Sequence, residues 1–374
     1  MNLNTACKPR QSVFDRSRKD VVLNIDDLLK NKIDAHQFFS ENFITSGMHT
    51  LFEKVFSRLN GHSNQASTFL LSQAMGGGKT HNMIALGLLA KNPELRQRIL
   101  GDKNISSNAI RVIGFNGRES DAPFGIWGEL ADQLGKKEIF NDLYSPLSSP
   151  GTTAWINLLK GDPIIIFLDE LPPYFDNARA KEIGDTTLAH VTNTALSNLM
   201  VAVDRPELSN VCIVISDLRA TYEDGSNELN RALENLANET NRSALRLEPV
   251  NPQGDELYHI LRTRLFEDLP DIEVIREIAQ EYADAVSKAK QMDITNASPE
   301  SFAAQIVESY PFHFSIRDLY ARFKENPGFQ QTRGLIRLMR VIVSDMYLPN
   351  KQGVLRANLV KLIHPCLLYT SPSP

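Results

Sequence analysis

The chain is poor in cysteine and has no long apolar run. Its three cysteines, Cys7, Cys212 and Cys366, cannot build a disulfide framework, and none stands at metal-ligand spacing. A reducing, cytoplasmic compartment is therefore expected. No apolar stretch approaches the roughly 20 residues that span a bilayer. Met1-Asn-Leu-Asn-Thr-Ala-Cys-Lys-Pro-Arg10 lacks the apolar core of a secretory leader, so no membrane partner is expected. Positive charge is also short, with 40 Lys and Arg against 45 Asp and Glu, a net charge of -5. That balance excludes a chain that coats nucleic acid indiscriminately, though not a local basic surface. No Ser/His/Asp triad, glycosidase carboxylate pair or zinc spacing stands out.

What is present is a glycine turn set between a strand and a helix. Thr68 to Leu71 is a β-leaning apolar run, and Asn82 to Ala90 a helix-leaning one. Between them stand Gly76, Gly77, Gly78, Lys79 and Thr80. Residues without a Cβ let successive N–H groups turn inward around a phosphate, and the new helix points its positive end at the same anion. Lys79 would place a charge on the β- and γ-phosphates of ATP, and the Thr80 hydroxyl would ligate Mg²⁺. The full phosphate-loop pattern asks for a further glycine where this chain has Gln73, so the first turn must be built without it.

Further strands follow. Asn108 to Phe115 is rich in β-branched residues, and Ile164-Ile-Ile-Phe-Leu168 is a continuous apolar run that ends in Asp169 and Glu170. Such a run is expected of a parallel strand covered on both faces, with its carboxyl end at a ligand site. Val211 to Asp217 repeats the pattern, and Ala244 to Val250 does so more weakly. Helical stretches between them, notably Thr187 to Val203 and Asn227 to Glu239, complete an α/β pattern. The expected fold is an α/β P-loop domain with a mainly parallel sheet flanked by helices and an all-helical lid domain after it. The expected layout is a helical N-terminal segment (1–66), an α/β ATPase domain (67–250), the lid (251–350) and the start of a truncated C-terminal region (351–365). Residues 366–374 resemble a translated sequencing adapter and are expected to be non-native, the natural chain continuing past Pro365.

Asp169 stands where a carboxylate is expected to meet Mg²⁺ through the ion's bound water, and Glu170 where a base would orient or deprotonate the attacking water. Ser216, at the next strand end, is the candidate polar sensor beside the γ-phosphate. Arg242 precedes a strand and is the candidate arginine finger for a neighbouring subunit's nucleotide, with Arg231 and Arg246 as competitors. Arg333 opens an arginine stripe continued by Arg337 and Arg340, and could reach the γ-phosphate. From Ile316 to Lys361 nine Lys and Arg face three acids. This local excess is the one hint of DNA contact. His81 and His313 read as packed residues.

Taken together, these motifs resemble the AAA+ type of ATPase. More narrowly, Gly76-Gly-Gly-Lys-Thr-His81, Trp127-Gly-Glu-Leu-Ala-Asp-Gln-Leu134, Leu168-Asp-Glu-Leu-Pro-Pro-Tyr-Phe175, Ser216-Asp-Leu-Arg-Ala-Thr-Tyr222 and Gly328-Phe-Gln-Gln-Thr-Arg-Gly-Leu-Ile-Arg337 resemble the domain-of-unknown-function four-nine-nine family. These are bacterial and archaeal ATPases often encoded beside a DNA methyltransferase in anti-phage defence islands. The resemblance implies ATP and Mg²⁺ at Lys79, Thr80 and Asp169, with Glu170 as the hydrolytic glutamate. It also implies a homo-oligomer working with protein partners of a defence complex, among them a DNA methyltransferase. The expected function is ATP hydrolysis coupled to remodelling of a protein or nucleic-acid partner. The alternatives are an ATP-dependent assembly scaffold with negligible turnover and a DNA translocase or helicase subunit.

Overall fold

The computed structural model describes residues 1–15, 23–62, 64–72, 76–101, 109–119, 121–217, 230–231, 234, 244–248, 256–323, 329 and 331–364. They form two compact units. One comprises Leu23–Phe39 and Ile44–Val250, the other Met1–Val22, Ser40–Phe43 and Asn251–Pro374.

The first unit is built on five strands: β1 (Thr68–Ser72), β2 (Arg111–Asn116), β3 (Ile164–Asp169), β4 (Val211–Asp217) and β5 (Leu245–Leu247). All pair in parallel, in the order β2-β3-β4-β1-β5. The runs are apolar throughout because helices cover both faces; every residue of β3 is buried. On one face, Phe69, Leu71, Ile165, Phe167, Cys212 and Val214 pack with α1 (Ser46–Leu59) and α2 (Lys79–Lys91). On the other, Leu70, Ile113, Phe115, Ile166, Leu168, Ile213 and Ile215 meet α3 (Gly125–Gln133), α4 (Thr152–Leu159), α5 (Leu171–Arg179) and α6 (Leu188–Asp204). This odd–even division is the two-residue period of a strand written through the whole sheet. Helix α1 shows the matching helical period. Thr45 caps it by accepting the Met48 N–H at 3.2 Å, and Met48, Leu51, Phe52, Val55 and Leu59 are buried along one face.

The second unit carries α7 (Glu256–Leu265), α8 (Ile272–Gln291), α9 (Pro299–Ser309), α10 (Ile316–Phe323) and α11 (Gln331–Tyr347). The sequence reading set residues 1–66 apart as one helical segment, and the structure divides it. Leu3, Cys7 and Val13 belong to the apolar cluster of α7 and α11, whereas Ile25, Leu28 and the α1 face lie under the sheet. The reason is pairing that no local pattern announces. Lys8–Pro9 forms an antiparallel ladder with Phe266–Asp268, and the Leu3 N–H donates to the Val360 carbonyl at 2.9 Å. The same ladder puts a short strand into a stretch expected to be wholly helical. Of the expected helix Asn227 to Glu239, only 230, 231 and 234 are described, and the tail 366–374 lies outside the described residues. Among the described residues no helix is long and apolar enough to cross a membrane.

Candidate functional site at the carboxyl edge of the sheet

The site is assembled where β1, β4 and β3 end side by side. β1 runs on to β2 beyond β3 and β4, while β4 runs on to β5 on the opposite side of β1. The connections diverge at this edge, which is where parallel sheets take ligands.

The glycine turn leads from β1 into α2. Gly76 and Gly78 have φ of +80° and +92°, a left-handed backbone that only glycine adopts without strain. Gly78 is the N-cap of α2 and, having no side chain, supplies no side-chain acceptor to the first turn. Asn82 holds the turn from within the helix, its Nδ2 donating to the Gly78 carbonyl at 2.9 Å. Lys79 is buried at 6 % exposure. His81 stacks on Phe38 with ring centroids 4.7 Å apart, a packed residue. Gln73 lies outside the described residues.

The acids come from the end of β3. Asp169 is 2 % exposed and accepts three hydrogen bonds. The Thr80 hydroxyl donates to Oδ2 at 2.7 Å, the Ser216 hydroxyl to Oδ1, and the Glu170 N–H to Oδ1 at 3.1 Å. Burial pushes its carboxyl above the ordinary range. The Ser216 and Thr80 hydroxyls oppose that shift, the Glu170 charge adds to it, and the Glu170 N–H opposes it. Ser216, 1 % exposed, also accepts the Glu170 N–H at 3.2 Å. Its hydroxyl therefore ties the end of β4 to both acids. Strand β4 lies between β3 and β1, which brings Ser216 to the acids at the end of β3.

Glu170 sits on a sharp corner. Its φ of +50° and ψ of +40° are left-handed, a conformation costing about 1–2 kcal/mol outside glycine. It is the N-cap of α5, whose sequence Leu-Pro-Pro supplies proline in the first turn, where the missing N–H groups have no intrahelical partner to lose. The turn after β2 supports the corner. The Gly117 N–H donates to the Asp169 carbonyl at 2.9 Å, and Asn116 Oδ1 accepts the Arg118 N–H at 3.1 Å. A Cβ on Gly117 would fall 2.3 Å from the Glu170 carbonyl oxygen. Arg118 Nε donates to Glu170 Oε2. None of these three residues figured among the sequence candidates. The available signal was a polar break, Asn116-Gly-Arg-Glu119, directly after a β-branched run, much as polar residues mark the ends of β3 and β4.

Arg242 lies outside the described residues. Arg246 pairs in register with Leu70 rather than with the strand end Ser72. Arg231 is an exposed helical residue, and Arg333 is exposed on α11 in the other unit. Also in that unit, His313 stacks on His364 and shares a 2.6 Å hydrogen bond with Ser315. Burial and the neighbouring His364 push it down to about 4. Among the described residues no three His, Cys, Asp or Glu gather into a metal cage.

These features define an α/β protein with a glycine turn, a buried aspartate and a half-buried glutamate along one edge of a parallel sheet. The model of the DUF499 N-terminal domain matches residues 6–112 and 119–251, and the chain belongs to that family. No curated protein matches it.

Proposed function

We propose that this chain binds ATP with Mg²⁺ at the carboxyl edge of the sheet and hydrolyses it, as an AAA+-like P-loop ATPase. The observation that carries the reading is the 2.7 Å hydrogen bond from Thr80 to Asp169. It joins Thr80, two residues past the glycine turn, to the acid 89 positions later, across the intervening strand β4. A hydroxyl and a carboxylate so placed are the hard oxygen donors that Mg²⁺ takes, the rest of its shell coming from phosphate and water. The residues thus fit the ion, which when bound would neutralise charge on the phosphates.

The N–H groups of Gly76 to Thr80 and the Lys79 ammonium hold the phosphates. Glu170 accepts a proton from a water whose oxygen bonds to the γ-phosphorus, as the bond from that phosphorus to the β–γ bridging oxygen breaks. Arg242 of a neighbouring subunit, and Arg333, remain candidates for charge on the leaving phosphate. The output is remodelling of a protein or nucleic-acid partner, in a homo-oligomer that serves cytoplasmic anti-phage defence; that last assignment rests on family resemblance. Glu170→Gln is expected to bind ATP at near wild-type affinity and lose at least a hundredfold in turnover, and Lys79→Ala to lose binding. Unchanged turnover in Glu170→Gln sinks the proposal.

A further inference from the structure

The Asn116-Gly117-Arg118 turn touches the Asp169–Glu170 corner through three separate contacts, and only the last involves the Glu170 carboxylate. The Gly117 N–H fixes the Asp169 carbonyl, the bare Gly117 Cα admits the Glu170 carbonyl, and Arg118 Nε takes Glu170 Oε2. The Arg118 backbone is itself pinned by Asn116, whose side chain is buried at 6 % exposure. The guanidinium therefore stands on a fixed base beside a glutamate whose backbone is held in a strained, left-handed state.

We propose that Arg118 is a positioning residue for hydrolysis, orienting the Glu170 carboxylate by holding Oε2 so that Oε1 faces the attacking water. The inference rests on the reading of Glu170 as the hydrolytic base. Several features favour orientation over a merely structural ion pair. The two side chains are 49 % and 29 % exposed, and pairs this exposed contribute little to stability. The corner is already held by main-chain contacts without them. Strand β2 adjoins β3 in register, Asn116 opposite Asp169, so the arginine is delivered by the sheet itself. Arg118 acts through Glu170 and carries no assigned contact with phosphate.

Single-turnover hydrolysis and equilibrium binding of Mg·ATP separate the possibilities, measured on the whole chain for wild type, Arg118→Ala, Arg118→Gln, Glu170→Gln and Arg118→Ala/Glu170→Gln. Expected for both Arg118 variants is a hydrolytic rate roughly ten- to a hundredfold lower, the scale of a misplaced catalytic group. Their Mg·ATP affinity should stay within about threefold of wild type, and Arg118→Ala should lose nothing further when Glu170 is already Gln. Wild-type rates in both Arg118 variants overturn the inference and leave the proposed ATPase standing. A parallel loss of affinity, or a full additional loss in the double variant, also overturns it, because Arg118 would then be acting on the nucleotide. A wild-type chain that binds Mg·ATP without any turnover removes the ATPase reading and this inference with it.

Discussion

Replacing Gly117 by alanine tests the corner at its tightest contact. The added Cβ would lie 2.3 Å from the Glu170 carbonyl oxygen and 3.0 Å from both the Glu170 carbonyl carbon and Tyr174 Cβ, so the backbone must open by about 1 Å to reach ordinary contact distance. Relief is hard to find. The Gly117 N–H is bonded to the Asp169 carbonyl, and the Glu170 N–H to Asp169 and Ser216. Overpacking of this kind costs about 1–3 kcal/mol, offset by about 0.4–1 kcal/mol from the stiffer unfolded chain. The net expectation is a loss of roughly 1–2 kcal/mol in urea unfolding. Single-turnover hydrolysis should fall by up to about a hundredfold, because the same displacement moves Glu170. Gly151→Ala is the control, since nothing lies within 4 Å of its Cβ and its φ is −77°. Loss of its N-cap glycine should cost only about 0.5 kcal/mol. If Gly117→Ala is as stable as that control and hydrolyses at the wild-type rate, the glycine has no positioning role.

Asp169→Asn should stabilise the nucleotide-free protein at pH 7 while abolishing Mg²⁺-dependent turnover. Burial holds the Asp169 carboxyl above its ordinary 3.8, so the native state binds more protons than the unfolded one as pH rises from that value. Wild-type stability therefore falls with rising pH through this window relative to Asp169→Asn, and the difference should vanish toward pH 4. Denaturant unfolding from pH 4 to 7 checks this, and a wild type that is the more stable at pH 7 refutes it. For the arginine finger, turnover is expected to rise steeply with protein concentration and to collapse in Arg242→Ala. A rate per chain independent of concentration, unchanged in that variant, removes the role.

The parallel sheet was legible because its strands are covered on both faces and so read as unbroken apolar runs, Ile164 to Leu168 most plainly. The ends of those runs were legible too, since a carboxylate after five buried apolar residues has few structural reasons to be there. What the sequence hid was adjacency. Arg118 and Glu170 stand 52 residues apart and meet only because β2 and β3 are neighbours in the sheet. Taken alone, an arginine in a turn reads as a solvated charge. The hydroxyl of Ser216 was visible, but its partners depend on strand order, which no local pattern carries. The same limit hid the place of Met1–Val22, because a two-residue strand such as Lys8–Pro9 has no alternation to read.

The pairing of Leu3 with Val360 also sets a timetable. The Leu3 N–H emerges from the ribosome 357 residues before its acceptor, a delay of roughly 20–70 seconds at ordinary rates of synthesis. For most of that interval, until synthesis passes residue 256, Leu3, Cys7 and Val13 have no cluster to enter, because none of α7 to α11 has yet been made. The sheet unit, whose strands close by residue 250, can collapse first. The buried side chains of Leu3, Cys7 and Val13 thus reach their cluster only after the residues of the helical unit that form it have been synthesised.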